Sequence, residues 1–137
     1  MDPYQVPESE LIRTPKEPPK SLVVVYVLLA SAFVLATLDS MIIMAMDGGS
    51  ILDFANNIFI LLWLGVLVWI GSDISKGKNN PKWLMLLLPC IVISMAVFDN
   101  QGFPLIMFSV AESCCYLAIF TIIRKPEYSE WFSGKNA

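Results

Sequence analysis

Two carboxyl side chains, Asp39 and Glu112, lie within long apolar stretches that contain no Lys or Arg to pair with them. A charged residue at membrane depth costs roughly 2.5–3.5 kcal/mol on insertion scales, so it faces a bundle interior or water rather than lipid. Its chemistry there is to hold a proton, a cation or a cationic substrate group. Other polar residues recur nearby at helical spacing. Ser109, Glu112, Ser113 and Tyr116 follow the i, i+3, i+4, i+7 pattern of one helix face. Asp53, Asn56 and Asn57 share a face of another stretch, while Ala32, Ala36 and Ser40 make a small-residue stripe suited to close packing beside Asp39. Ser94 stands at comparable depth on a further stretch. The spacing predicts a hydrated vestibule walled by Asp39, Glu112, Asn56, Asn57 and Ser109. The competing reading is that the same groups hydrogen-bond between helices and simply hold them together. Asp53 also suits the third helical position of a capping box opened by Ser50.

Other chemistry has little footing. The chain has no histidine, so a Ser-His or Cys-His nucleophile cannot be assembled. No glycine-rich phosphate loop is present. Cys90, Cys114 and Cys115 form no C-x-x-C motif, and adjacent Cys114 and Cys115 project to different sides of a helix, against a bridge. Small apolar packing is the expectation for all three. With too few soft ligands, no metal and no cofactor is expected. The chain is not expected to be an enzyme.

The elements that must position the two acids are four apolar runs in a 137-residue chain that is 56% hydrophobic. They predict an all-α, polytopic four-transmembrane-helix bundle with helices over about 22–46, 51–70, 83–98 and 103–123. Asp47-Gly48-Gly49-Ser50 reads as a tight turn, Gly71 as a left-handed cap, and Pro104 as a first-turn proline. The third stretch, at about 16 residues, covers only about 24 Å at the helical rise. Ala30-Ser31-Ala32 resembles a signal-peptide cleavage site, but the apolar run continues to Met46. A signal's apolar region is only about 7–15 residues long, so an uncleaved span is expected.

All nine basic residues flank alternate ends of these runs, and none lies between the first and second or the third and fourth. Basic segments stay cytoplasmic, which predicts a plasma-membrane protein with both termini inside. Residues 1–21, with five of the nine prolines, then form an extended cytoplasmic arm, and residues 124–137 a cytoplasmic interfacial tail. Nine cations face seven acids in the cytoplasmic segments, whereas spans and outer turns hold five acids alone. No basic patch is dense enough for nucleic acid. Trp69 and Trp83 are expected at headgroup depth as interface anchors. Tyr128, Trp131 and Phe132, at i, i+3 and i+4, predict an aromatic face laid on the membrane, with Trp131 and Phe132 as further anchors.

The opening Met1-Asp2-Pro3-Tyr4-Gln5-Val6-Pro7, the four short apolar helices and the charged tail around Trp131-Phe132 resemble small uncharacterised bacterial four-helix inner-membrane proteins. The resemblance implies a bacterial inner-membrane location and carries over no activity and no site residue. Small multidrug exporters are similar in helix number, but their essential Glu lies in the first helix, whereas Glu112 lies in the fourth. Two functions follow as expectations. The first is a non-catalytic interaction, regulatory or accessory protein, of immunity type for example, that meets a membrane-protein partner or its own copies in the lipid bilayer. The alternative is a proton- or cation-linked transporter or channel subunit that uses the outer-half carboxylates.

Overall fold

A computed structural model describes residues 17–50, 57–98 and 102–135, and these form five helices. They are α1 (Leu22–Met46), α2 (Ile58–Ser75), α3 (Pro81–Phe98), α4 (Phe103–Ile123) and α5 (Pro126–Lys135). The first four are long and apolar enough to cross a membrane. Asp53, Asn56, Asp99 and most of the proline-rich arm lie outside the described residues.

The bounds of α1 and α4 match the apolar runs, but those of α2 and α3 shift for local chemical reasons. Helix α2 runs past residue 70 to Ser75. Gly71 is no cap: it is buried inside α2, where a Cβ would meet the Tyr26 ring of α1 at 3.2 Å. The cap is Gly77, whose φ of +74° is open to glycine at little cost. The Gly77 N–H donates to Ile74 O at 3.0 Å and the Lys78 N–H to Asp73 O at 2.9 Å, the paired bonds of a Schellman ending. Gly48 (φ +76°) ends α1 likewise, with the Gly49 N–H bonded to Met44 O. Helix α3 begins at Pro81, since proline fits a first turn, and reaches 18 residues, about 27 Å.

Helix α4 is the hub, packing extensively on α1 and α3; α1 meets α2 less closely, and α2 barely touches α3. The core sits toward the end that carries Lys20, Lys76, Lys82 and Arg124, called here the basic end. Val25, Leu29 and Ala32 of α1 are buried there with Leu67, Ile70 and Ile74 of α2. Above Ala32 on α1, and before Leu67 on α2, no described residue is fully buried. The bundle is therefore closed at the basic end, while toward the far end α1 and α2 splay from α3 and α4, whose Ala96, Leu105 and Ser109 stay buried.

Helix α5 closes the basic end. The helical spacing of Tyr128, Trp131 and Phe132 holds, but their face turns into the bundle and not onto a membrane surface. Tyr128 is fully buried, and Trp131 and Phe132 are 5% and 6% exposed. The Trp131 indole N–H donates to Ile74 O at 3.0 Å, joining α5 to the last turn of α2. The Ser21 hydroxyl reaches Tyr128 Oη at 3.5 Å beside the start of α1. Trp131 and Phe132 are thus packed into the protein core, whereas Trp69 and Trp83 are exposed. The sequence pattern fixes a face and leaves its partner open, and here the partner is protein.

Burial pushes the Tyr128 phenol above its ordinary value of 10.0, with Ser21 opposing and Glu127 and Tyr26 adding to the rise. The folded state then binds this proton more tightly than the unfolded chain. Its stabilisation is complete below a pH of about 10 and is lost as pH rises through the folded value. Thermal melts at rising alkaline pH should fall more steeply for wild type than for Tyr128→Phe; parallel curves would refute this.

Candidate functional site

The far-end splay leaves a cavity of about 440 Å³ bounded by all four long helices. Its polar wall gathers most of the residues expected from spacing. Asp39 comes from α1, Asn57 from the start of α2, and Ser109 and Glu112 from α4. Each is placed by its own helix register. On α4, Ser109, Glu112, Ser113 and Tyr116 are all at most 5% exposed, as one inward stripe demands. Asn57 is fixed as the N-cap of α2, its Oδ1 accepting the Phe59 N–H at 3.0 Å. That bond satisfies one donor of the first turn and leaves the amide group at the cavity wall.

Two expected roles change. The stripe Ala32, Ala36, Ser40 packs closely only at Ala32, which is fully buried; Ala36 and Ser40 instead line the cavity. Ser94 is exposed and takes no part. The inward face of α3 carries Met85, Leu88, Pro89 and Ala96, and two residues from Ala96 is roughly half a turn away. Cys90 and Cys114 are likewise exposed, and Cys115 alone packs against the core.

The floor is aromatic. The Tyr116 hydroxyl donates to Glu112 Oε1 at 2.7 Å, and its ring meets that of Trp63 edge to face, with centroids 6.5 Å apart. Trp63 Nε1 is buried beside Glu112 and Tyr116 and interacts with both side chains, at looser geometry than the Tyr116–Glu112 bond. Asp39 Oδ1 is buried with no hydrogen-bond partner among the described residues. Buried polar atoms are nearly always satisfied, so Asp39 Oδ1 at the cavity marks capacity for a further polar group. Trp63 was not expected from spacing. Its signal was an indole in mid-run, since a buried Trp needs a partner for its N–H.

Electrostatically the site is acidic. No Lys or Arg is among the described residues of its wall, and the nearest described ion pair, Lys78 with Asp73 at 3.3 Å, sits at the opposite end. A second hollow of about 280 Å³, lined by Ser40, Met44, Asp47 and Asn57, adjoins the first at the far end. Ser40, Ile43 and Asn57 belong to both. Among the described residues no group of three or more His, Cys, Asp and Glu could hold a metal ion. The chain matches no protein-family model, no curated protein and no solved structure.

Proposed function

We propose that this chain is a small integral membrane protein that holds a proton, a cation or a cationic group in its far-end cavity, as a transporter or channel subunit does. The supporting observation is convergence: Asp39, Asn57, Ser109 and Glu112, distant in sequence, line one cavity without a basic residue among its described walls. A purely structural role would pair each acid with a donor, and Asp39 Oδ1 has none among the described residues. The positive-inside pattern orients the cavity toward the outside of a bacterial inner membrane, with both termini cytoplasmic. The role is non-catalytic.

Proteoliposomes containing a pH-sensitive dye test this reading. Under an imposed cation or pH gradient, wild type should show saturable flux above that of empty vesicles. Asp39→Asn and Glu112→Gln, inserted normally, should each lose most of it. Flux equal to empty vesicles, or unchanged in both variants, would sink the reading.

One observation favours a second reading, an interaction, regulatory or accessory protein. The far halves of α1 and α2 have no fully buried described residue, leaving helix surface that a partner helix or a second copy could cover. Site-specific crosslinking from Val34 or Leu61, both exposed, would capture that neighbour.

A further inference from the structure

Resting on the cation-site reading, we infer that the ligand is an amphipathic organic cation that enters sideways from the bilayer through the gap between α2 and α3. Three observations lead there. The first is size. A cavity of about 440 Å³ falls within the roughly 300–1,000 Å³ that holds drug-sized ligands. A bare metal ion instead favours a tight cage of several ligands, and among the described residues no group of three or more His, Cys, Asp and Glu supplies one.

The second observation is the division of the wall. Asp39 and Glu112 stand on α1 and α4, while the surfaces from α2 and α3, apart from Asn57 at the start of α2, are apolar or aromatic, including Ile60, Trp63, Val66 and Val92. A ligand complementary to both walls has a positive centre on one side and an apolar body on the other. The indole face of Trp63 adds cation–π attraction for the positive group, strongest where water is excluded. The acids supply the charge complement that the described walls otherwise lack.

The third observation is the opening. Helices α2 and α3 barely touch, and three cavity-lining residues along their edges are also exposed: Phe59 at 76%, Leu62 at 59% and Met95 at 59%. A residue that both lines a cavity and faces outward is its rim. These helices are apolar enough to lie in lipid, so this rim opens toward the acyl chains. The adjoining hollow at Asp47 and Asn57 continues the cavity toward the far end. Toward the basic end, Tyr116 and the packed core close the floor. The sideways opening therefore leads from the bilayer to Asp39 and Glu112.

The test uses the full chain in lipid nanodiscs with radiolabelled tetraphenylphosphonium as the probe. Wild type should bind it saturably. The neutral, similarly shaped tetraphenylsilane, and the small cations potassium and tetramethylammonium, should compete at least about tenfold less well. Glu112→Gln and Asp39→Asn, shown to be folded by circular dichroism and gel filtration, should each weaken binding about tenfold or more. Met95→Trp, at the rim and away from both acids, should slow association several-fold. Unchanged affinity in both acid variants, or equal competition by the neutral analogue, overturns the inference; an unaltered rate in Met95→Trp overturns the sideways route. Carboxyl-dependent binding of potassium or tetramethylammonium without tetraphenylphosphonium would overturn the ligand class and leave the cation site standing. No cation bound at all would overturn both.

Discussion

Trp131→Ala is expected to destabilise the bundle by about 3–5 kcal/mol, the range for removing a well-packed aromatic side chain. Trp131 is 5% exposed and sits in the same cluster as Ile74, Tyr128 and Phe132. Its loss removes the wedge between α5 and α2 as well as the hydrogen bond to Ile74 O. Trp131→Phe separates these contributions. It keeps most of the apolar contact and gives up one neutral hydrogen bond, about 1 kcal/mol. The small size of that second effect has a structural cause, because Ile74 O also accepts the Gly77 N–H and is not left bare. Thermal melts in detergent, paired with protease cleavage after Lys125, measure both. If Trp131 were a lipid anchor, the alanine variant would keep its melting temperature and lose only membrane-surface contact.

Tyr116→Ala is the second large effect, again about 3–5 kcal/mol, because a fully buried ring at the centre of the bundle disappears. Here the consequence reaches the site. Tyr116 separates the cavity from the packed core, donates to Glu112 and supports Trp63 through the edge-to-face contact. The alanine variant should both loosen the core and deepen the cavity. Tyr116→Phe isolates the hydroxyl and should cost about 1–3 kcal/mol, since Glu112 Oε1 loses its donor in a buried setting. A double-mutant cycle with Glu112→Leu measures the pair directly, because a coupled pair departs from additivity by roughly 0.5–3 kcal/mol. Additive melting-temperature losses would deny the coupling.

Helix existence was legible because a bilayer demands about 20 apolar residues with their backbone bonds made internally. Four runs meet that demand, and the bounds of α1 and α4 agree with their apolar limits. The inward stripe of α4 was equally legible. Periodicity alone puts Ser109, Glu112, Ser113 and Tyr116 on one side of a helix, and a side bearing Glu112 avoids lipid. Misreadings cluster where one residue type serves two geometries. Gly71 and Gly77 are both plausible caps, and only φ and the nearby Tyr26 ring separate a cap from a close approach. Ser94 shared the right depth but stood on the wrong side of α3, because depth follows from residue count while facing depends on which neighbour the helix meets.

The amino-acid order by itself determined the four long apolar helices, the inward stripe of α4, and the separation of basic segments from buried acids. These are local properties, set by the helical repeat and by the cost of bare charge in an apolar medium. Tertiary structure alone decided that α5 plugs the basic end and that α2 and α3 stand apart. It also decided that Asp39, Asn57, Ser109 and Glu112 share one cavity above an aromatic floor. The physical reason is that a helix face carries no record of what it will touch. An aromatic face fits lipid or protein about equally well, and the outcome depends on whether the docked face also finds a partner such as the Ile74 carbonyl.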